Sequence, residues 1–378
     1  MASERRSIRV VHLTSAHPAL DPRIFYKECV SMQRAGYEVH LVAQYASDVH
    51  IEGIMIHALP TYEGRLGRMI LGAPLAFIKA IRLNPSVLHF HDVELLPLCL
   101  LWATLGRKVV FDIHEDVPQD LLNRDYLPPW LKKIVSSVIR VLIKIGARNF
   151  RGIVAATPTI NEKLGAEAKK IATINNFPIL AEFSECVDVP YGDRPYTVLY
   201  LGAISADRGI FEILEALELV SPNWGVRMRL AGLFSDIVEK KEAMELFGWN
   251  SVIELGQVDR ASIPPLLNNS RIGLVLMHRL PNADMSQPTK LYEYMAGGLP
   301  VIASNIPLWK EIVDRHQCGI IVDPLNPHDI AEAVDWLFEH PEEAEAMGKR
   351  GRAAVINCYN WTNEELKLLN YYIDLCLD

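Results

Sequence analysis

The stretch SQPTKLYEYMAGGLPVIAS (286–304) sets Lys290 and Glu293 three residues apart, after Pro288 and before Gly297-Gly298. If it forms a helix starting at the C-terminal edge of a sheet, its first turn offers unpaired N–H groups and roughly half a positive charge, a setting that suits phosphate. A lysine in that turn is disfavoured by a few tenths of a kcal/mol on a solvated helix, on the order of the macrodipole effect; a bound polyphosphate reverses the sign. Glu293, one turn on, could accept hydrogen bonds from a vicinal diol such as a ribose. An ordinary surface ion pair worth about 0.2–0.5 kcal/mol fits the same spacing. A second cation stands in YLGAISADRGIFEILEAL (200–217), where Gly202 permits close backbone approach and Arg208 opens a helix. Arginine can fork two phosphate oxygens, whereas lysine acts as a point charge. Two further stretches, HFHD (89–92) and FDIHED (111–116), end apolar runs with His91-Asp92 and His114-Glu115. Such histidines suggest a metal, but metal sites bring three or four ligands at defined spacing. Finally, TSAHPALDPRIF (14–25) carries His17, Asp21 and Arg23, either as site groups or as a local Asp–Arg bracket at a helix start.

These residues need elements to hold them. Apolar runs at 8–15, 38–44, 86–92, 108–115, 152–157 and 171–177 alternate with helical patterns, among them 21–37 and 93–106. The alternation restarts at 197–205, 226–232, 252–258, 271–278 and 300–304. Strands apolar throughout indicate parallel sheets covered on both faces. The polar stretch 184–196 reads as a linker, giving two doubly wound domains whose strand ends face a shared cleft. Pro288 suits a first helical turn and Gly297-Gly298 a helix stop.

The bulk numbers agree. A chain of 378 residues, half of them hydrophobic, is long enough for two cores. A net charge of −8 disfavours a general nucleic-acid binder. Six scattered cysteines without a CxxC fit a reducing cytosol and give no zinc signature. The N-terminus shows no secretory apolar segment, and no run of 18 apolar residues offers a membrane span. Neither a GxGxxG after a strand nor a DxD occurs.

The segment 286–304 resembles the donor-site segment of the family-4 glycosyltransferases, retaining enzymes of the GT-B fold: two Rossmann-like domains facing across a cleft. Glu293 falls on the second glutamate of that family's E-x7-E pattern. The first would fall at Met285 and is absent; this chain looks like the branch with S-x-P-x-K-L-x-E-Y-M, where Asp284 is the neighbouring carboxylate. The segment 200–217 is similar to the family's G-R-x(4–5)-K-G, with Ala203 for the arginine and Arg208 for the lysine. The resemblance implies a nucleotide site of Gly202, Arg208, Asp284, Ser286, Gln287, Thr289, Lys290 and Glu293, with base recognition by backbone near 256–258. His114 matches the strand-end histidine beside the reacting sugar. His17, Asp21, Arg23, His91, Asp92 and Glu115 would line the acceptor side. The implied domains are 1–188 for the acceptor, 189–355 for the donor, and a closing helix within 356–378 that crosses back.

The implied reaction is transfer, with retention, from a UDP- or GDP-sugar to a glycan or lipid-linked acceptor in cell-surface polysaccharide synthesis. Arg208 and Lys290 would stabilise the leaving phosphate in place of a metal. Two rivals remain: a nucleotide-sugar 2-epimerase on the same fold, and a non-catalytic sugar-nucleotide-binding subunit. The segment 127–152 carries six Lys/Arg and no Asp/Glu. Lys133, Arg140, Lys144 and Arg148 share one helical face, so 128–151 either lies on an anionic membrane or is a core helix with a solvated basic stripe. The membrane alternative implies a peripheral enzyme on the cytoplasmic side.

Overall fold

The computed structural model describes residues 8–62, 64–122, 128–187, 189–279 and 286–377. The chain forms two compact units, Met1–Asn176 with Thr362–Asp378, and Phe177–Trp361.

The first unit holds an eight-stranded sheet: β1 (Arg9–Pro18), β2 (Glu38–Gln44), β3 (Val49–Ile51), β4 (Ile54–Leu59), β5 (Val87–Phe90), β6 (Val109–Ile113), β7 (Gly152–Ala155) and β8 (Ile171–Thr173). Its order is β3-β4-β2-β1-β5-β6-β7-β8, parallel except for the β3/β4 hairpin. The sequence reading did not include that hairpin, which adds an antiparallel edge. Val and Ile fill the strands because helices cover both faces. One face is built on Phe90 and Phe111, whose rings stack at 4.3 Å with Phe150 edge-on. The helix after β1 begins at Pro22, where Asp21 caps it by accepting from the N–H groups of Arg23 (2.8 Å) and Ile24 (3.0 Å). It starts with wide turns over Pro22–Cys29 and tightens over Val30–Arg34.

The closing helix, Trp361–Leu377, packs in this first unit. Its Glu364 accepts the Asn175 N–H (2.8 Å) and its Tyr372 hydroxyl bonds His89 Nδ1 (2.8 Å). Tyr371 lies so close to β7 that a Cβ on Gly152 would sit 1.7 Å from its hydroxyl, so any larger residue there would displace the Tyr371 ring.

The second unit has a six-stranded, wholly parallel sheet: β9 (Thr197–Leu201), β10 (Arg227–Ala231), β11 (Val252–Gly256), β12 (Ile272–Val275), β13 (Val301–Ser304) and β14 (Gly319–Val322), in the order β11-β10-β9-β12-β13-β14. Strand β14 was also missed by the sequence reading. Two apolar clusters cover its faces, one around Tyr200, Leu214 and Phe338, the other around Tyr294, Met295 and Trp309. The expected linker at 184–196 is instead structured. Short helical turns at Leu180–Val187 and Tyr191–Asp193 bury Phe183, Cys186 and Tyr191, and Arg194 reaches back to the carbonyls of Cys186 and Val189. By internal packing the division falls at 176/177, whereas the expected domains met at 188/189; the residues between belong with the second unit, where Phe183 and Cys186 are buried.

Candidate donor and acceptor sites

The strands are shorter than their apolar runs, so the candidate residues lie on the turns just beyond them. In the second unit β9 ends at Leu201, and Gly202 turns the chain with φ 107°. A short turn, Ala206–Arg208, then leads into the helix Ile210–Leu219 through Gly209. The quoted stretch becomes the helix Thr289–Ala296; Pro288 caps it from outside instead of occupying its first turn, and no side chain caps its N-terminus. Two contacts fix that helix on the sheet: the Leu201 N–H donates to the Tyr294 hydroxyl (2.7 Å), and Trp309 Nε1 donates to the Ser286 carbonyl (2.8 Å).

Between these turns lies a cavity of 580 Å³. Gly202, Ala203, Arg208, Ser286, Gln287, Thr289, Lys290 and Glu293 all line it, with Gln257 and Val258 on another wall. All the donor-side residues named above thus share one cavity, save Asp284, which lies outside the described residues. At Gly232 a Cβ would stand 1.8 Å from the Gly202 carbonyl oxygen, so glycine there lets two walls meet.

Lys290 decides between the two readings of its helix. It is buried, 6% exposed, and among the described residues its Nζ has no hydrogen-bond partner. It rests 3.9 Å over the Tyr200 ring centroid. Burial, and secondarily the positive charge of Arg208, hold its pKa well below the usual lysine value, with Glu293 opposing. A surface Lys–Glu pair would be solvated. A buried amine with no partner, beside a second cation in a cavity, marks a place for an anion.

In the first unit the histidines sit on adjacent strands. His12 on β1 is in register with His89 on β5, and Phe90 with Phe111. Asp112 is the hub. Arg23 grips it with two bonds (Nε–Oδ2 3.0 Å, Nη2–Oδ1 2.9 Å) and gives Nη1 to the Ile174 carbonyl. His91 Nδ1 meets Asp112 Oδ2 at 3.1 Å and its Nε2 meets His12 Nδ1 at 3.1 Å. With the carboxylate accepting, His91 donates from Nδ1 and accepts at Nε2 from His12. Arg23 and the Asp112 charge are thus internal. Arg23 neither faces an acceptor nor brackets Asp21; it positions β6, while Asp21 caps the helix. Asp92 likewise turns inward, accepting from Thr14 Oγ1 (2.8 Å), Ser15 N (2.7 Å) and Ala16 N (3.2 Å), which shapes the loop carrying His17. His91, too, is buried within this network.

The more accessible candidates are His17 and Glu115; His114 is partly exposed, but both of its ring nitrogens are buried. The His17 and His114 rings meet edge to face at 5.5 Å. His17 Nε2 lies 3.4 Å from Asp92 and its Nδ1 3.5 Å from Asp21. Burial acts to lower its pKa, but bonding to Asp21 and the nearby carboxylates raise it overall. His114 is the opposite. Burial first, then Arg23 and the other histidines, outweigh Asp112 and push its pKa down to about 3. Its Nδ1 is 3.2 Å from Asp112 Oδ2 but not aligned as a hydrogen bond, and neither ring nitrogen has a partner. A neutral imidazole at the end of β6 can donate or accept one hydrogen bond to a sugar hydroxyl.

Sequence reasoning missed His12, Glu28, His89, Asp112 and Tyr372. His12, Glu28, His89 and His91 bring ligand-type atoms within 4.8 Å of one another. Arg23 Nε lies 3.1 Å from Glu28 Oε1, so a guanidinium already supplies positive charge to that cluster. The H-x-H and D-x-H spacings were the available signal, since residues two apart share a strand face.

The comparisons with known proteins divide along the same line. The group 1 glycosyl transferases match residues 189–354, and a glycosyl transferase 4-like domain matches 23–176. A phosphatidyl-myo-inositol mannosyltransferase of Mycobacterium leprae is 24% identical over 357 residues, covering 90% of this chain and 89% of its own. A D-rhamnosyltransferase of Pseudomonas aeruginosa is 29% identical over 161 residues, 42% of this chain and 40% of its own. Among solved structures, a sucrose-phosphate synthase from Thermosynechococcus elongatus superposes with TM-score 0.75 at 18% identity, covering 98% and 99% of the two chains. The Anabaena protein Alr3699/HepE in complex with UDP-glucose does so with TM-score 0.71 at 14% identity, covering 97% and 99%.

Proposed function

Because this chain belongs to the family-4 glycosyltransferases of GT-B fold, we propose that its second unit binds a nucleoside diphosphate sugar and its first unit the acceptor. The observation that carries the donor assignment is the buried, unpartnered Lys290 amine in the cavity that Arg208 and Glu293 also line. The diphosphate meets Lys290, Arg208 and the uncapped helix start at Thr289. Glu293 takes the ribose diol, and the backbone around Gln257 and Val258 meets the base. The UDP-glucose in the Anabaena structure supports a donor of this class.

As transfer proceeds, the bond between C1 and the phosphate oxygen breaks and the acceptor oxygen bonds C1 on the same face. The acceptor's proton passes to the leaving phosphate. Negative charge grows on that phosphate, where fixed cations stabilise it. His114, held neutral, orients a sugar hydroxyl. This division of labour uses side-chain cations and requires no metal. The transferred group is a hexose or N-acetylhexosamine. The acceptor is a glycan or lipid-linked saccharide of the cell surface, consistent with the lipid in the name of the mycobacterial relative. The enzyme works at the cytoplasmic face of the membrane; its cysteines are all free thiols, four of them buried, which suits a reducing compartment.

The test is a panel of UDP- and GDP-sugars, with nucleotide release followed with and without membrane extract, before and after EDTA dialysis. Extract-dependent release unaffected by EDTA is expected. Release without acceptor favours the epimerase, and no release with any donor favours the binding subunit. Arg208→Ala and Lys290→Ala should each lower kcat by about 10²–10³.

A further inference from the structure

A second cavity, of 280 Å³, opens in the first unit. It lies at the C-terminal end of β6, whose last residue, Ile113, lines it, and it is walled by the helices Pro129–Asn149 and Pro158–Leu164. Ile143, Ile160 and Leu164 join Ile113 in an apolar lining. Three cations, Arg140, Lys144 and Lys163, stand in the same lining. Lys163 pairs with Asp116 (2.6 Å) and Lys144 lies 3.6 Å from Glu167. No carboxylate among the described residues pairs with Arg140. Glu115, also in the lining, is the neighbour of His114 in the chain.

The helix that supplies Arg140 and Lys144 has a second property. Trp130, Ile134, Val138, Val141 and Ile145 are all exposed on it, from 39% to 65%, at spacings of one turn. An apolar stripe beside Lys133, Arg140 and Lys144 is the arrangement of a helix lying at a lipid surface. Leu66, Ile70 and Leu71 are likewise exposed on the helical stretch 64–82 of the same unit. A cavity with apolar side chains on its inner wall and three exposed cations at its rim, next to an apolar-and-basic surface, suits a phosphate ester with a long apolar chain.

We propose that this cavity is the anchoring site for the acceptor, and that it holds the phosphate of a lipid phosphate or diphosphate through Arg140, with Lys144 and Lys163 in support. The proximal carbons of the chain lie on Ile113, Ile143 and Ile160, and the remainder stays in the bilayer on which the Trp130–Ile145 stripe rests. The sugar to be extended projects from the phosphate toward His114. This proposal rests on the glycosyl-transfer reading and deepens it, since it names what the acceptor must carry.

The test measures binding to the full chain by calorimetry, with saturating UDP to fill the donor cavity, using geranyl diphosphate and inorganic pyrophosphate, and by flotation on phosphatidylcholine vesicles with or without phosphatidylglycerol. Wild type, Arg140→Ala, Lys144→Ala and Lys290→Ala are compared, with circular dichroism to confirm folding. Geranyl diphosphate should bind roughly tenfold or more tightly than pyrophosphate, and Arg140→Ala should lose roughly tenfold, the scale of one charged hydrogen bond. Lys290→Ala should keep this binding, which separates it from the donor cavity. Equal affinity for pyrophosphate, indifference to both Arg140→Ala and Lys144→Ala, or loss in Lys290→Ala would overturn the proposal. So would anionic-vesicle binding with no geranyl diphosphate binding, which would leave a surface contact alone. If nucleotide sugars are never turned over while geranyl diphosphate binding persists and depends on Arg140, the transfer reading fails and the anchoring site stands.

Discussion

The partnerless amine of Lys290 makes nucleotide binding a protonation event. In the free protein its pKa is held well below the ordinary lysine value by burial and by Arg208. The Tyr200 ring beneath it favours the ammonium by about 0.5–2 kcal/mol, in the same sense as Glu293. A diphosphate places negative charge and acceptor oxygens against Nζ and raises the pKa. Between the free and bound values, binding takes up to one proton, and affinity falls by up to about tenfold for each pH unit of increase. Lys290→Met keeps much of the volume but cannot be protonated. Losing one charged hydrogen bond costs about 1.5–3 kcal/mol, or roughly 10–150-fold in Kd, where wild-type Lys290 is already charged. The advantage of wild type over the variant should therefore shrink as pH rises. The assay is calorimetry of UDP and GDP in buffers of different ionisation enthalpy, from pH 6 to 9. The slope of heat against buffer enthalpy counts protons. The nucleotide's terminal phosphate, with a second pKa of about 6, is already deprotonated at pH 8, so uptake there belongs to the protein. The reasoning is refuted if uptake is zero throughout this range, or if Lys290→Met takes up as much as wild type.

The first unit should lose stability in mild acid. Burial holds His12 and His89 neutral and pushes His114 down to about 3. Their folded pKa values are depressed, so below pH 6.5 the unfolded chain binds protons that the fold refuses, and stability drops as pH falls. Glu28, whose pKa burial raises, opposes this by holding a proton that the unfolded chain releases. His57, also depressed, adds to the loss, and His17, raised by its carboxylate neighbours, opposes it alongside Glu28; four depressed histidines against two raised groups leave stability falling between pH 6.5 and 5, and urea midpoints that do not move over that range would contradict it. Arg23→Leu leaves Asp112 buried without its forked partner, at a cost of about 3–5 kcal/mol. Its melting temperature should fall far more than that of Asp21→Ala, which removes a helix cap worth about 1 kcal/mol, and the reverse order would show that Arg23 is not the internal brace.

The two sites differed in how far they could be read from sequence, for a physical reason. The charged groups of the donor cavity come from two short continuous stretches, 202–208 and 286–293, each a turn leading into a helix, while Gly232, Gln257 and Val258 complete its walls. Local spacing alone left Lys290 and Glu293 open to an ordinary surface ion pair; because the stretches are continuous, their resemblance to a family segment could single out Arg208, Lys290 and Glu293 before the fold was known. The histidine network depends on strand order instead. β1, β5 and β6 become neighbours only when the sheet assembles, and that assembly brings His12, His91 and Asp112 together across 100 residues of sequence. Arg23 and Asp92 carried the right residue types in suggestive places, yet both turned inward. A charged side chain at a strand end can serve a ligand or serve the turn, and composition does not distinguish the two.

Burial separates these roles on chemical grounds. Arg23 and Lys290 are almost equally hidden, at 4% and 6% exposure. Arg23 meets both carboxylate oxygens of Asp112, one of Glu28 and a carbonyl, whereas among the described residues Lys290 Nζ meets an aromatic face and no hydrogen-bond partner. The first is a completed ion pair, stabilising only while both partners stay. The second is an incomplete one, and leaving it so costs stability, on the order of 1–3 kcal/mol for an unsatisfied buried group. Lys290→Met should therefore raise the melting temperature of the ligand-free protein while weakening nucleotide binding. A variant that loses both stability and affinity would show that Lys290 is structural, and the donor cavity would then lose its principal support.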